Sequence, residues 1–170
     1  MKDMKRAIIY ARVSSSGSLE SRQSTERQVI DLTDYANRNA MTISKTFEEH
    51  ISGAKRNEER AVLTECIEYA ISNRVDVILF SELSRCGRAV WEVLDTIRTL
   101  KDNGINAYFQ KEGLSLFSED GRENIYLAIM ISVLSSASQI ERENLIFRLK
   151  SGRKVYVDKN LAATGKSGLG

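Results

Sequence analysis

The chain has 170 residues, which is enough for one domain with a sizeable hydrophobic core or for one domain with an appendage. A hydrophobic content of 42% argues against a disordered protein, and a formal net charge of +2 points to no particular class of partner. Residues 142–166 are more basic than the rest, with seven Lys or Arg residues and two acidic residues. This basic end suits a polyanion such as a nucleic acid, although a solvated basic helix face would have the same composition.

The residues that bind metals or form disulfides are scarce. His50 is the only histidine, and Cys66 and Cys86 are too far apart to have the spacing of metal ligands. No apolar run reaches the length of a membrane span. We therefore expect a cytoplasmic protein with reduced cysteines that binds no metal and does not cross a membrane.

Apolar patterns predict strands alternating with helices along the first part of the chain. The predicted strands are 5–13, 42–47, 75–80 and 105–109, with a loop or short edge strand over 111–120. The predicted helices between them are 22–39, 59–73 and 89–103, and the charged segment 48–58 is predicted to be a loop. This order predicts an α/β fold with a mostly parallel sheet of four or five strands and right-handed crossovers. Sites in such sheets lie at the carboxyl ends of the strands.

After Gly121, the segment 121–158 contains no proline and a single further glycine, Gly152, so it can form one long helix. Such a helix is longer than the globule and should project from it. Small side chains at Ser135–Ser138 permit close packing, and Ile140 and Phe147 would be exposed on a monomer, which predicts a partner. We expect an α/β core over 1–120, a long helix over 121–158 that serves oligomerisation and contacts a nucleic acid, and a linker over 159–170.

The first strand ends in residues that can carry chemistry. Tyr10, Arg12 and Ser14 alternate along it and should share one face. Serine becomes a nucleophile when its proton is removed or its charge is stabilised, and an arginine can bind an anionic target such as a phosphate. Arg12 and Ser14 could also simply mark a polar strand end. Arg85 and Arg88 follow the strand over 75–80 and should lie at the same edge of the sheet.

Three segments together resemble the serine recombinases, the resolvase and invertase family. They are Tyr10-Ala-Arg12-Val-Ser14, Leu83-Ser-Arg85-Cys-Gly-Arg88, and Ile140-Glu-Arg142 with the basic helix that follows it. The resemblance covers nearly the whole chain and implies a resolvase-like three-layer fold. It also implies a prokaryotic, nucleoid-associated enzyme that cleaves and rejoins DNA at specific sites, as a homodimer that forms a synaptic tetramer, without a cofactor.

The resemblance also assigns roles to individual residues. Ser14 would be the nucleophile that forms a 5′-phosphoserine link to DNA, and Arg12, Arg85 and Arg88 would surround the phosphate. Arg60 would belong to the same site, with Tyr10 and Gln23 supporting it. The family's DNA-contacting positions on the long helix would correspond to Arg142, Arg148, Arg153 and Lys154.

Two positions depart from the family pattern. Ser84 stands where the family often has an aspartate directly before the arginine, so the role of that carboxylate is absent or moved. Glu49 matches another acidic position of the family, in the loop after the second strand, but this chain has two extra residues between Gly53 and Arg60. The family also has a C-terminal DNA-binding domain, to which we expect 159–170 to lead.

Two alternative functions remain open. A non-catalytic DNA-binding or oligomerisation module on the same fold would not need a competent Ser14. A metal-free phosphodiester hydrolase would cut DNA without rejoining it. A covalent protein–DNA intermediate distinguishes the recombinase from both. The sequence does not specify the DNA site, or whether the outcome is resolution, inversion, integration or transposition.

Overall fold

The computed structural model describes residues 4–14, 19–51, 61–87 and 89–164, although only the backbone is described at some positions within these ranges, among them Ser14, 19–24 and 150–164. Within these ranges the chain forms five strands and four α-helices. The strands are β1 (Lys5–Ser14), β2 (Met41–Ile51), β3 (Val77–Phe80), β4 (Asn106–Phe109) and β5 (Leu114–Ser115). The helices are α1 (Leu19–Arg38), α2 (Ala61–Ser72), α3 (Val90–Asp102) and α4 (Ile125–Thr164). A single 3₁₀ turn covers Leu83–Arg85.

The strands form one sheet in the order β2-β1-β3-β4-β5, with β5 the only antiparallel neighbour among the described strands. This arrangement confirms the predicted α/β fold with a mostly parallel sheet. Alternate residues of β1 and β3, such as Ile9 and Leu79, pack against Leu32 and Ala36 of α1. Ile8, which points to the opposite face, is also fully buried. The central strands are therefore covered on both faces, as their nearly continuous apolar sequences require.

The strand β2 is longer than its sequence predicts. Residues 48–51 were expected in a loop because they are mostly charged or polar, and that expectation is wrong. They extend β2 because β1 continues to Ser14 and pairs with them, with Ala11 opposite Glu48 and Arg12 opposite Glu49. A register shift between Ala7 and Ile8 accommodates one extra residue of β2. The longer pairing carries Glu49 to the end of the sheet where Arg12 lies.

The long helix is present as α4, four residues later at its start than predicted and six residues later at its end. Residues 121–124 are not helical: Glu123 forms an isolated antiparallel bridge with Phe117, and the side-chain oxygen of Asn124 accepts a hydrogen bond from the backbone N–H of Tyr126 at 3.0 Å. That contact satisfies one of the N–H groups that a helix start leaves open. The chain divides into two compact units, Met1–Met130 and Ile131–Gly170. The first contains the whole sheet, and the second is formed by the later part of α4.

Candidate active site

The ends of β1 and β3 lie side by side at one edge of the sheet. The two strands are parallel, and Tyr10 is the register partner of Phe80, the last residue of β3. The chain beyond Phe80 forms the segment 81–87, which we call the arginine loop. The Nη2 group of Arg12, on β1, donates a hydrogen bond of 3.3 Å to the carbonyl oxygen of Ser84. The strand that carries Tyr10 and Arg12 therefore contacts the loop that carries Arg85.

A buried hydrogen bond joins β1 to β2 beside this contact. Tyr10 is fully buried, and its ring packs against Phe80 with 5.6 Å between ring centroids. Its hydroxyl group donates to Oε2 of Glu49 at 2.5 Å, and Glu49 is only 6% exposed. A buried carboxylate needs such a donor because it has lost most of its contact with water. Tyr10 thus holds Glu49, whose register partner is Arg12.

Replacing Tyr10 with phenylalanine should therefore destabilise the fold. The Glu49 carboxylate would lose its phenol donor without gaining water, so we expect the free energy of unfolding to fall by about 1–3 kcal/mol. Denaturant unfolding of both proteins measures this difference. Tyr126→Phe is the matched control, because Tyr126 is 71% exposed and its hydroxyl can be replaced by water. Equal losses in the two variants would contradict the role given to the buried hydrogen bond.

The arginine loop is built around charged side chains. Nη2 of Arg85 lies 2.9 Å from Oε1 of Glu82, and Nζ of Lys111 lies 2.9 Å from Oε2 of the same carboxylate. The hydrogen bond from Lys111, with a further one from Ser84 and the charge of Arg85, lowers the pKa of Glu82 against the effect of burial. Next to Lys111, Glu112 accepts a hydrogen bond of 3.1 Å from the backbone N–H of Leu83. The turn after β4 thus contacts the loop at two points.

The other end of the arginine loop is packed tightly against α3. The hydroxyl group of Thr96 donates to the carbonyl oxygen of Cys86 at 2.9 Å, and both residues are buried. Gly87 is buried as well. A Cβ atom at this position would overlap the backbone nitrogen of Val93 and lie 2.7 Å from its Cγ2. Only glycine therefore fits between the loop and the first turns of α3.

We expect Gly87→Ala to move the arginine loop. The overlap is with backbone, which cannot turn aside as a flexible side chain would, so the variant should lose about 1–3 kcal/mol of folding free energy. It should also lower the DNA cleavage that the family resemblance predicts, because Arg85 lies two residues away. Thermal unfolding and a cleavage assay on the same preparation measure the two effects. Wild-type stability in this variant would show that the loop can relax at no cost.

Comparisons with known proteins identify the family. The family model "Resolvase, N terminal domain" matches residues 7–161. The chain belongs to the resolvase family. It is 29% identical to a resolvase of Clostridium perfringens strain 13, over 84% of this chain and 67% of the relative.

Solved structures agree with this family. A resolvase family site-specific recombinase from Streptococcus pneumoniae superposes with a TM-score of 0.69 and 28% identity, covering 91% of this chain and 99% of the other. The N-terminal catalytic domain of TP901-1 integrase gives a TM-score of 0.59 and 28% identity, covering 82% and 98% of the two chains. The predicted resemblance is confirmed, and the protein is a serine site-specific recombinase.

In this resolvase-family chain, the structure brings together three of the predicted site residues: Tyr10, Arg12 and Arg85. Arg60 and Arg88 lie outside the described residues. Ser14 ends β1 and Gln23 belongs to α1, but their side chains are likewise not among those described. The same holds for Arg142, Arg153 and Lys154 on α4, whereas Arg148 is described and exposed. The roles assigned to all of these residues stay predictions.

The described part of this resolvase-family chain has neither a candidate metal site nor a candidate membrane span. Among the side chains described within 4–14, 19–51, 61–87 and 89–164, no group of three or more His, Cys, Asp or Glu is placed to hold a metal ion. Over the same part of the chain, no helix combines the length and apolar character needed to cross a membrane.

Sequence reasoning missed Glu82, Lys111 and Thr96. The contact of Glu82 could have been predicted from its spacing, since an acid three residues before an arginine can pair with it in a helical turn. The contacts of Lys111 and Thr96 could not have been predicted from the sequence, because they depend on how the turn after β4 and the helix α3 pack beside the arginine loop.

Proposed function

We propose that this recombinase cleaves DNA by attack of the Ser14 hydroxyl on a phosphodiester, and rejoins it by the reverse of that step. The observation that carries the proposal is the hydrogen bond between Arg12 and the arginine loop. It places the strand that ends in Ser14 next to the loop that carries Arg85. A serine beside two guanidinium groups suits attack on a phosphate, which is an anion.

The proposed step leaves the number of phosphoester bonds unchanged. The Oγ atom of Ser14 forms a bond to phosphorus while the bond from phosphorus to the 3′ oxygen breaks. The serine hydroxyl gives up its proton, and the 3′ oxygen takes one up to leave as a hydroxyl group. One phosphoester is exchanged for another, so attack by a 3′ hydroxyl on the phosphoserine restores the DNA without an external energy source.

The arginines would supply the electrostatic part of catalysis. Charge spreads over the non-bridging oxygens as the phosphoryl group is transferred, and groups already in place stabilise it best. Arg12 is half-buried, and the Arg85 side chain is 24% exposed, so water screens their charges less than it would on an open surface. The sequence motif adds Arg88 to this cluster, and Arg60 to the same site. Tyr10 and Gln23 would support it, Tyr10 by holding Glu49.

The later part of α4 would contact DNA and a second subunit. Arg148 is exposed there, and the resemblance places Arg142, Arg153 and Lys154 among the DNA-contacting residues. Ile140 and Phe147 are 59% and 71% exposed. Apolar side chains of this size tend to be covered by a partner. A dimer would supply one serine for each strand of a crossover, and a synaptic tetramer would supply four for two duplexes.

Self-association gives a test of this helix. Ile140→Glu should shift the protein towards monomer, because a charge would enter the apolar contact. Sedimentation velocity at a series of protein concentrations measures the shift. Gln139→Lys introduces a charge at the neighbouring position without removing an apolar side chain, and it keeps a donor for Glu143, to which Gln139 donates at 3.2 Å. It should leave association nearly unchanged. A wild-type protein that stays monomeric at every concentration would contradict the proposed dimer.

The covalent intermediate tests the proposed function itself. We would lyse cells that express the complete recombinase under denaturing conditions, capture the protein, and sequence any DNA that remains attached. Duplexes with the recovered crossover site would then be cleaved in vitro, and mass spectrometry would identify the attached residue. We expect a 5′-phosphoserine at Ser14. Cleavage that leaves no protein on the DNA would indicate a hydrolase instead, and binding without cleavage would indicate a non-catalytic module.

A further inference from the structure

The Glu82 carboxylate binds one of the arginines proposed to surround the phosphate. Its Oε1 atom lies 2.9 Å from Nη2 of Arg85, and the two side chains are 19% and 24% exposed. Arginine has a long and flexible side chain, so a guanidinium that must meet a phosphate needs a second group to fix its direction. The short 3₁₀ turn over Leu83–Arg85 makes this contact possible because it brings the side chains of residues 82 and 85 to the same side.

Glu82 is itself fixed from the opposite side. Lys111 contacts its second carboxylate oxygen, Oε2, at 2.9 Å, so that each oxygen has its own cation. The neighbouring Glu112 accepts a hydrogen bond from the backbone of Leu83, which ties the same turn to the loop a second time. One negative charge lies between two positive charges, so Glu82 does not neutralise both cations. Its contact is to one terminal nitrogen of the Arg85 guanidinium, Nη2, and orients that side chain.

Ser84 is the position at which the family often has an aspartate, and a serine there cannot form an ion pair. The backbone oxygen of Ser84 contacts Arg12, so this residue lies between the two arginines. A carboxylate near Arg85 is nevertheless present, on Glu82, two residues before Ser84 and three before Arg85. The contacts of Glu82 thus supply what the side chain of Ser84 cannot.

We infer that Glu82 is a positioning residue that holds Arg85 in place for the DNA phosphate, in place of the carboxylate that Ser84 lacks. Lys111 completes the arrangement by holding Glu82. This inference rests on the proposed function, because it requires that Arg85 acts on the phosphate.

The test compares cleavage rates in a double-mutant cycle. The complete recombinase is mixed with the crossover-site duplex recovered above, and covalent adduct is followed in single turnover for wild type, Glu82→Gln, Arg85→Lys and the double variant. Glu65→Gln is the matched control, because it removes the carboxylate of another ion pair, that of Glu65 with Lys45 at 3.0 Å. Nitrogen-15 NMR of the guanidinium of Arg85 reports its orientation independently of cleavage.

Glu82→Gln should slow adduct formation roughly 10- to 100-fold, because a displacement of the Arg85 guanidinium by about 1 Å is enough to cost that much in rate. Glu65→Gln should stay within about twofold of wild type, because an exposed ion pair contributes little. In the Arg85→Lys background, Glu82→Gln should cost no more than about twofold, because residues that act as a unit are not additive. The Arg85 side-chain NMR signal should broaden or shift in Glu82→Gln and not in Glu65→Gln.

Two results would overturn the inference. Cleavage by Glu82→Gln at the wild-type rate or faster would show that Glu82 does not position Arg85. Glu82→Gln could also slow cleavage by the same factor in the wild-type and Arg85→Lys backgrounds and leave the Arg85 NMR signal unchanged. That result would show that Glu82 acts only on the stability of the loop. Failure of the proposed function looks different, because the wild-type protein would then form no covalent adduct at all.

Discussion

The Ser14→Ala protein should bind its crossover DNA and form no covalent adduct with it. Removing the hydroxyl group removes the only atom that can form the proposed phosphoester, so the loss of cleavage should be complete rather than partial. Ser14 is the last residue of β1, where the strand pairs with Ile51 of β2 through its backbone. The substitution leaves that pairing possible, so we expect thermal unfolding to change little.

Gel analysis after denaturation measures the adduct, and a binding assay in the same buffer measures affinity. Ser118→Ala is the matched control, because Ser118 is exposed and belongs to the turn after β5. It should cleave at the wild-type rate. Cleavage by Ser14→Ala at a normal rate would remove Ser14 from the mechanism, whereas loss of binding in that variant would mean that the substitution disturbs more than the nucleophile.

Lysine at position 85 or 88 should slow cleavage at least about tenfold, which corresponds to about 1.4 kcal/mol of transition-state stabilisation. Lysine keeps the positive charge but loses the planar group that binds two phosphate oxygens at once. For Arg85 the structure adds a second reason, since the contact with Glu82 is made by a terminal guanidinium nitrogen that lysine does not have.

The matched control for these variants is Arg98→Lys, at an exposed position on α3. It should change neither cleavage nor stability. DNA affinity should fall only slightly in Arg85→Lys and Arg88→Lys, because the charge that attracts the phosphate backbone is kept. Wild-type cleavage by either variant would show that charge alone suffices at that position.

The sequence was sufficient for the central part of the fold. Val77–Phe80 is a short apolar run, and it is a buried strand at the centre of the sheet, as predicted. The absence of proline predicted the long helix, because nothing in α4 interrupts its backbone hydrogen bonds. Both features are local, since each depends on the composition of one segment.

Features that depend on a neighbouring element were not predictable in this way. Glu49 belongs to a charged segment typical of a loop, yet it is buried because β1 extends far enough to pair with it. The ion pair between Glu82 and Lys111 requires contact between the arginine loop and the turn after β4. No residue spacing in the sequence predicts that contact. The two arginine motifs were found because each follows a strand, and their contact could only be inferred from the rule for strand ends.

The pairing of β1 with β3 also has a consequence for the order in which the chain acquires activity. The contact between Arg12 and Ser84 closes a segment of 72 residues, and α1, β2 and α2 all lie within it. A contact between residues so distant in sequence forms only after the entropy of closing the intervening segment has been overcome. A nascent chain that has emerged only as far as α2 already carries Ser14 but has no arginine loop. Under the proposed mechanism, the protein can therefore cleave DNA only once the sheet is assembled. A chain that is partly synthesised, or in which the sheet is unfolded, cannot cleave it.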